Sequence, residues 1–151
     1  MLDHVRVTRL DNGLTVATAP QPEAESAGVG FWVRVGGRHE TAQTAGASHF
    51  IEHLLFKGTP ERSAKAISQA VEGHGGYLNA YTQEENTCYY ARLPHEHQAE
   101  AFDVLADMYL NAKLDSADVD KERAVILEEL KMYRDQPQAV VQEQLAEAVW
   151  V

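Results

Sequence analysis

Cysteine is nearly absent from this 151-residue chain: Cys88 stands alone, so no internal disulfide can form and the redox compartment is left open. Long apolar runs are missing too. No stretch approaches the length of a membrane-spanning helix, and the opening MLDHVRVTRLDNG lacks the apolar centre of a secretory signal. A soluble, cytoplasmic protein with no membrane role is expected. Positive charge is scarce: 13 Lys and Arg face 23 Asp and Glu, a formal net charge of −10. That balance argues against binding nucleic acid through its phosphates and would draw cationic peptides instead, although an acidic surface also serves solubility alone. Internal repeats and low-complexity linkers are absent. What remains is 44% hydrophobic, enough for one globular domain or a large part of one.

HVRVTRL and LTVAT flank Asp11-Asn12-Gly13 and read as a hairpin. GVGFWVRVGG alternates Val29, Phe31, Val33 and Val35 on one side, as a strand with one buried face does. SAKAISQAVEGHGG gives a helix capped by Ser63 and stopped by Gly73, with Ile67, Ala70 and Val71 inward. YLNAYTQEENTCYYARL forms two strands around a polar turn at Gln83 to Asn86. PHEHQAEAFDVLADMYLNAKL carries Phe102, Leu105, Ala106, Tyr109 and Leu110 on one helical stripe. DSADVDKERAVILEELKMYRDQ is a further helix, capped by Asp115 or Ser116, with Pro137 beyond its end. These runs predict an α+β fold, an antiparallel-rich sheet with helices packed on one face. The closing QAVVQEQLAEAVWV is an amphipathic helix without a glycine cap or polar tail that ends in apolar Trp150 and Val151. The domain is therefore expected to continue past residue 151, and its open apolar surface could pair with a second copy.

ASHFIEHLLFKGT, residues 47 to 59, places His49, Glu52 and His53 among Phe50, Ile51, Leu54, Leu55 and Phe56. Unpartnered polar groups in such surroundings cost about 1 to 3 kcal/mol each, so something should satisfy them. On a helix, positions i and i+4 stack, and both imidazoles can aim at one point with Glu52 beside them. Two such histidines with a carboxylate suit a zinc ion that activates a water while the glutamate takes its proton. H-x-x-E-H is the inverzincin order. The alternative is a pair of core histidines bonded to backbone.

Catalytic zinc sites usually take three protein ligands. Glu128 shares its helical stripe with Lys121, Lys131 and Asp135 and should face solvent. Glu129 shares its stripe with Glu122, Val125, Ile126, Met132 and Tyr133, which assigns Glu129 as the third ligand and Glu122 as a supporting carboxylate. An ordinary intrahelical ion pair is the alternative for Glu122. His95 and His97 diverge at a helix start and read as exposed, His74 sits between glycines and reads as solvated, and Cys88 reads as a small core residue.

HFIEHLLFKGT, GGYLNAYTQEENTCYY and KERAVILEEL, in that order and spacing, resemble the amino-terminal part of the catalytic domain of the insulinase/pitrilysin zinc metallopeptidases, in the style of mitochondrial processing peptidase. The likeness runs from the first hairpin to the last helix. It implies zinc as cofactor on His49, His53 and Glu129, Glu52 as general base, and Glu122 as a helper carboxylate in catalysis. It also implies that Asn79, Ala80 and Tyr81 form the edge strand to which a peptide substrate adds, with Phe56 near the substrate side chain. Plain strand packing is the alternative for Tyr81. Ser48 stands where the family more often has alanine. Family members close a chamber with a second, related domain, in the same chain or as a partner subunit, and nothing in residues 1 to 151 corresponds to it. The expected function is zinc-dependent endopeptidase action on extended or presequence-like peptides; a noncatalytic scaffold or partner subunit of the same fold is the rival.

Overall fold

A computed structural model describes residues 4–150; Met1 to Asp3, in the opening segment read above, and Val151, in the apolar end, lie outside the described residues. The first hairpin forms as expected: β1 (Arg6–Arg9) pairs antiparallel with β2 (Thr15–Thr18), Arg6 opposite Thr18 and Arg9 opposite Thr15. Gly13 turns the chain at φ +87°, a conformation that favours a residue without Cβ, and Asn12 Oδ1 accepts the Leu14 N–H at 3.1 Å. The hairpin is its own two-stranded sheet and stays exposed along both strands.

The main sheet has three antiparallel strands in the order β3 (Ser26–Val33), β5 (Thr87–Pro94), β4 (Tyr77–Thr82). Phe31 and Ala80 both stand opposite Tyr89, and Val29 and Leu78 both stand opposite Ala91, so the pleat sends these side chains to one face. Helices α1 (Ala47–Leu55), α2 (Ala64–Glu72) and α3 (Gln98–Asn111) pack on it. Leu55, Ile67, Val71, Leu78, Tyr89, Leu93, Val104, Leu105 and Met108 make one continuous core between the layers. This is the expected α+β architecture. The opposite face carries exposed Trp32, Tyr77 and Tyr81, with Cys88 buried on that side beneath Trp32 and Tyr81, its register partners.

Local details depart from the sequence reading in places. Val35 lies beyond β3 and is exposed, so the buried alternation ends at Val33. Ser63 does cap α2, accepting the Ala66 N–H at 3.2 Å, but Gly73 keeps right-handed helical angles and Gly75, at φ +74°, makes the turn. On α3 the inward stripe is Ala101, Val104, Leu105 and Met108, while Leu110 is 73% exposed and Phe102 and Tyr109 sit at the rim against Phe31. Asp107 causes the error: it is a polar residue on the buried side, satisfied by Thr59 Oγ1 at 2.7 Å, Arg62 Nη1 at 2.6 Å and Asn111 Nδ2 at 2.9 Å. The longest helix, α4 (Ser116–Arg134), crosses α1, and α5 (Pro137–Trp150) packs on α4. Pro137 opens α5, where its missing N–H leaves no bond unmade.

Candidate metal centre

The helix that carries the histidines starts without a side-chain cap of its own, because its N-cap is Gly46 at φ +86°. Glu40, from the preceding loop, fills that gap. Its carboxylate accepts the Gly46 N–H at 2.6 Å and the Ser48 N–H at 2.7 Å, answering two of the donors that a helix start leaves free. The Ser48 side-chain bond, with those two N–H groups, outweighs the cost of burial and holds the Glu40 carboxyl below its usual range.

One turn apart on α1, His49 and His53 bring their Nε2 atoms to 3.2 Å with the rings edge-on. Glu129 Oε2 reaches in from α4, 3.5 Å from His53 Nε2 and 3.8 Å from His49 Nε2. Ligands about 2.0 to 2.1 Å from a tetrahedral zinc stand about 3.3 Å from one another, so this donor triangle has the size and chemistry that zinc requires. Side-chain exposures of 38% for His49 and 37% for Glu129 leave one side of the triangle open.

Behind the triangle, His53 Nδ1 lies 3.1 Å from Glu122 Oε2, and Lys57 Nζ lies 2.7 Å from Glu122 Oε1. Glu122 is buried. Burial raises its carboxyl, yet the bonds from Lys57 and His53 win and keep it below its usual range, an acceptor for the Nδ1 proton. A proton held on Nδ1 leaves the Nε2 lone pair for a ligand role. The ion pair that α4 gives Glu122 is thus between helices, to Lys57 of the α1 end, and not within α4.

Glu52 Oε2 accepts the Thr82 hydroxyl at 2.5 Å, which ties α1 to the end of β4. Burial and, after it, the Glu52 charge push the Tyr89 phenol above its usual range. His49, Glu52, His53 and Glu129 line one cleft of about 760 Å³ together with Phe56 and Asn79. Ala80 instead packs against the core, and the Tyr81 hydroxyl lies 3.4 Å from Trp32 Nε1 on the other face of the sheet, so of the expected strand residues only Asn79 lines the cleft. All three nevertheless belong to β4, an edge of the main sheet. Glu128 points to solvent and pairs with Lys131 at 2.6 Å. The stripe shared by Glu122 and Glu129 is more open than expected, with Met132 and Tyr133 exposed, because α4 packs mainly on α1 and α5.

Sequence reading passed over Glu40, Lys57 and Thr82. A helix opening on Gly-Ala with no Ser, Thr, Asp or Asn cap was a signal that some remote acceptor must serve, and Lys57 stands one turn past His53; nothing in the sequence marked Thr82. His74, read as solvated, and His97, read as exposed, lie stacked on one another, ring centroids 3.7 Å apart, and His97 is half-buried there. Among the described residues no helix is long and apolar enough to cross a membrane.

The chain is 42% identical over 139 residues to the uncharacterized zinc protease YmxG of Bacillus subtilis, covering 92% of this chain and 34% of that protein. It is 43% identical over 145 residues to mitochondrial-processing peptidase subunit beta of Blastocladiella emersonii, covering 96% of this chain and 31% of that one. A crystal structure of a protease from Helicobacter pylori superposes with a TM-score of 0.84 at 26% identity, over 90% of this chain and 33% of its own. The chain thus spans about a third of the length of these relatives. A family profile, insulinase (Peptidase family M16), matches residues 15–151, and with that match over most of its length the chain belongs to the insulinase family of peptidases.

Proposed function

We propose that this chain is the metal-binding, amino-terminal part of a zinc endopeptidase, with His49, His53 and Glu129 as zinc ligands. Zinc, when bound, supplies a Lewis acid toward water and a peptide carbonyl. Glu52 is the general base: Thr82 fixes one carboxylate oxygen, and the other is left to take a proton from water and return it to the leaving amine. Glu122 holds the Nδ1 proton of His53 and Lys57 balances its charge. Catalytic help from Glu122 runs through His53, as a positioning residue.

The substrate reading is an extended peptide laid along β4. A sheet edge pairs with peptide backbone and reads little of its sequence, and Asn79 and Phe56 line the cleft beside it. The Ala80 N–H, now held by Asn79 Oδ1 at 2.8 Å, is a donor such a strand can take over. Tyr81 supports β4 from its other face. Because the chain spans about a third of its relatives, we assign full turnover to this part acting with a second domain or partner subunit that closes over the cleft. A cytoplasmic location belongs to the same proposal and is checked by cell fractionation.

The observation that carries the proposal is the donor triangle with one open side and Glu52 in the same cleft. Glu52→Gln tests it in the longest natural form of the protein. Zinc retention at this centre should persist while chelator-sensitive cleavage of an unstructured peptide falls at least about a hundredfold. Cleavage that survives the substitution rejects Glu52 as the base. No zinc at this centre in either protein favours the noncatalytic scaffold.

A further inference from the structure

We infer that the tip of the β4–β5 hairpin positions the metal centre, with Gly36 and Thr87 as positioning residues for Glu52 and the histidine helix. Two of the contacts that hold α1 are the Thr82 hydroxyl on Glu52 and the Glu40 carboxylate on the Gly46 and Ser48 N–H groups. Thr82 and Glu40 lie far apart in sequence, yet both trace back to that tip. Thr82 ends β4 opposite Thr87, and the turn between them is closed by the Gln83 N–H on the Asn86 carbonyl at 2.8 Å. Glu40 reaches α1 at the end of a strap, residues 35 to 40, that follows β3 and lies across the same turn. The Gly37 N–H donates to the Gln83 carbonyl at 3.2 Å, the Arg38 N–H to that of Glu84 at 2.8 Å, and the Thr87 hydroxyl to that of Val35 at 2.9 Å. Arg38 also pairs with Glu85. A single 3-10 turn, Gly37–His39, closed by the Glu40 N–H on the Gly37 carbonyl at 3.1 Å, then carries the chain to Glu40.

Gly36 lets the strap lie this close. It is buried and extended, at φ −167° and ψ −169°, a conformation open to any residue, so the demand is for space and not for backbone freedom. A Cβ here would run into the Gln83 carbonyl oxygen and stand 2.8 Å from that of Glu84. Those are backbone atoms of the turn itself and cannot swing aside as a flexible side chain does, so a methyl group must lift the strap or push the tip away. Thr87 holds the other side. It is buried, and its one proton is given to Val35, so its oxygen, 3.4 Å from Thr82 Oγ1, leaves the Thr82 proton to Glu52. A shift of the strap moves Glu40 against the start of α1, and a shift of the tip moves Thr82 against Glu52. Either displaces Glu52 relative to the histidines, and a misplacement of about 1 Å at a reacting group can cost about a hundredfold in rate. The assignment rests on Glu52 as the general base beside a zinc centre, as proposed above.

The test pairs Gly36→Ala with Gly28→Ala, a glycine of β3 where a Cβ meets nothing within 4 Å. In the longest natural form of the protein, Gly36→Ala should lower kcat on an unstructured peptide at least about tenfold with KM held within about twofold, and Gly28→Ala should change neither. Hydrogen exchange of the Gly46 and Ser48 amides, which reads the strap without any chemistry, should speed about fivefold or more in Gly36→Ala alone. Should Gly36→Ala fail to fold by circular dichroism, Thr87→Val and Thr87→Ser replace it: Val, without the hydroxyl, should show the same kcat loss, and Ser, which keeps it, should recover most of the rate. Wild-type kcat in the folded variant, or a rise in KM alone, overturns the inference; where Glu52→Gln is inactive in the same assay, Glu52 still stands as the base. Cleavage that survives Glu52→Gln overturns that reading, and the inference with it.

Discussion

Glu122 should govern zinc affinity without touching the ion. Its Oε2 lies 3.1 Å from His53 Nδ1, placed to accept a hydrogen bond from it, and its Oε1 pairs with the Lys57 ammonium at 2.7 Å, while only 6% of the residue is exposed. Partners of this kind, acting through a ligand, are worth about 10- to 100-fold in metal affinity, or about 1.4 to 2.7 kcal/mol. Glu122→Gln keeps a carbonyl that can still accept from Nδ1 but removes the charge, so the loss should sit near tenfold. Glu122→Ala removes the acceptor too and should approach a hundredfold. Competition with a chromogenic chelator measures both, and nitrogen chemical shifts of His53 report whether its proton stays on Nδ1. Lys57→Met is the control, since it strips the charge partner and leaves the bond to His53 in place. Zinc affinity unchanged in Glu122→Ala, or a loss in Lys57→Met equal to that in Glu122→Ala, would refute the orienting role.

Glu129→Gln should weaken zinc binding more than any change at Glu122, whereas Glu128→Gln, exposed and paired only with Lys131, should leave affinity and stability within about 0.5 kcal/mol of wild type. The same chelator competition decides between the neighbours. Glu40→Gln should lower stability by about 1 kcal/mol in urea unfolding, the usual worth of a helix cap, and loosen the start of α1 in hydrogen exchange. Asp107→Asn should cost about 2 to 3 kcal/mol, less than a fully buried pair because Arg62 keeps Asp103 as a partner. The pH dependence should change with it: burial raises the Asp107 carboxyl, but bonds from Asn111, Thr59 and Arg62 carry it below the ordinary 3.8. A depressed folded value means this stabilisation is complete above 3.8 and fades as pH falls through the lower folded value. The Asn variant should therefore show a shallower loss of stability on acidification below that point.

The strands and helices were legible where local chemistry alone decides them. Asn12-Gly13 made the hairpin, Ser63 capped α2, and the alternation of Val29, Phe31 and Val33 gave β3 its face. Reading failed on α3, where hydrophobicity chose Phe102, Tyr109 and Leu110 and the fold chose Ala101, Val104 and Met108. A small residue contributes little to a periodicity count but lets a helix approach a sheet closely, and Asp107 counted against the true stripe while Arg62, distant in sequence, satisfies it. The stripe of α4 failed for a different reason. Its apolar residues match a helix with a buried face, yet among the described residues α4 packs chiefly on α1 and α5.

The donor set was legible because metal chemistry imposes its own short-range grammar: two histidines one turn apart, and a glutamate whose phase agrees with the far helix. The groups that hold those donors still were not legible, since each lies across a gap in sequence that no pattern bridges. Glu40 grips the helix start over a loop, Thr82 meets Glu52 from a strand, and Lys57 on the α1 side meets Glu122 on α4. Each of these bonds joins α1 to a different neighbour. A helix fixed at its start, at its middle and just past its end cannot rotate its histidines away from Glu129 without breaking one of them, and so the tertiary fold, more than the H-x-x-E-H spacing itself, keeps Glu129 Oε2 3.5 Å from His53 Nε2 and 3.8 Å from His49 Nε2.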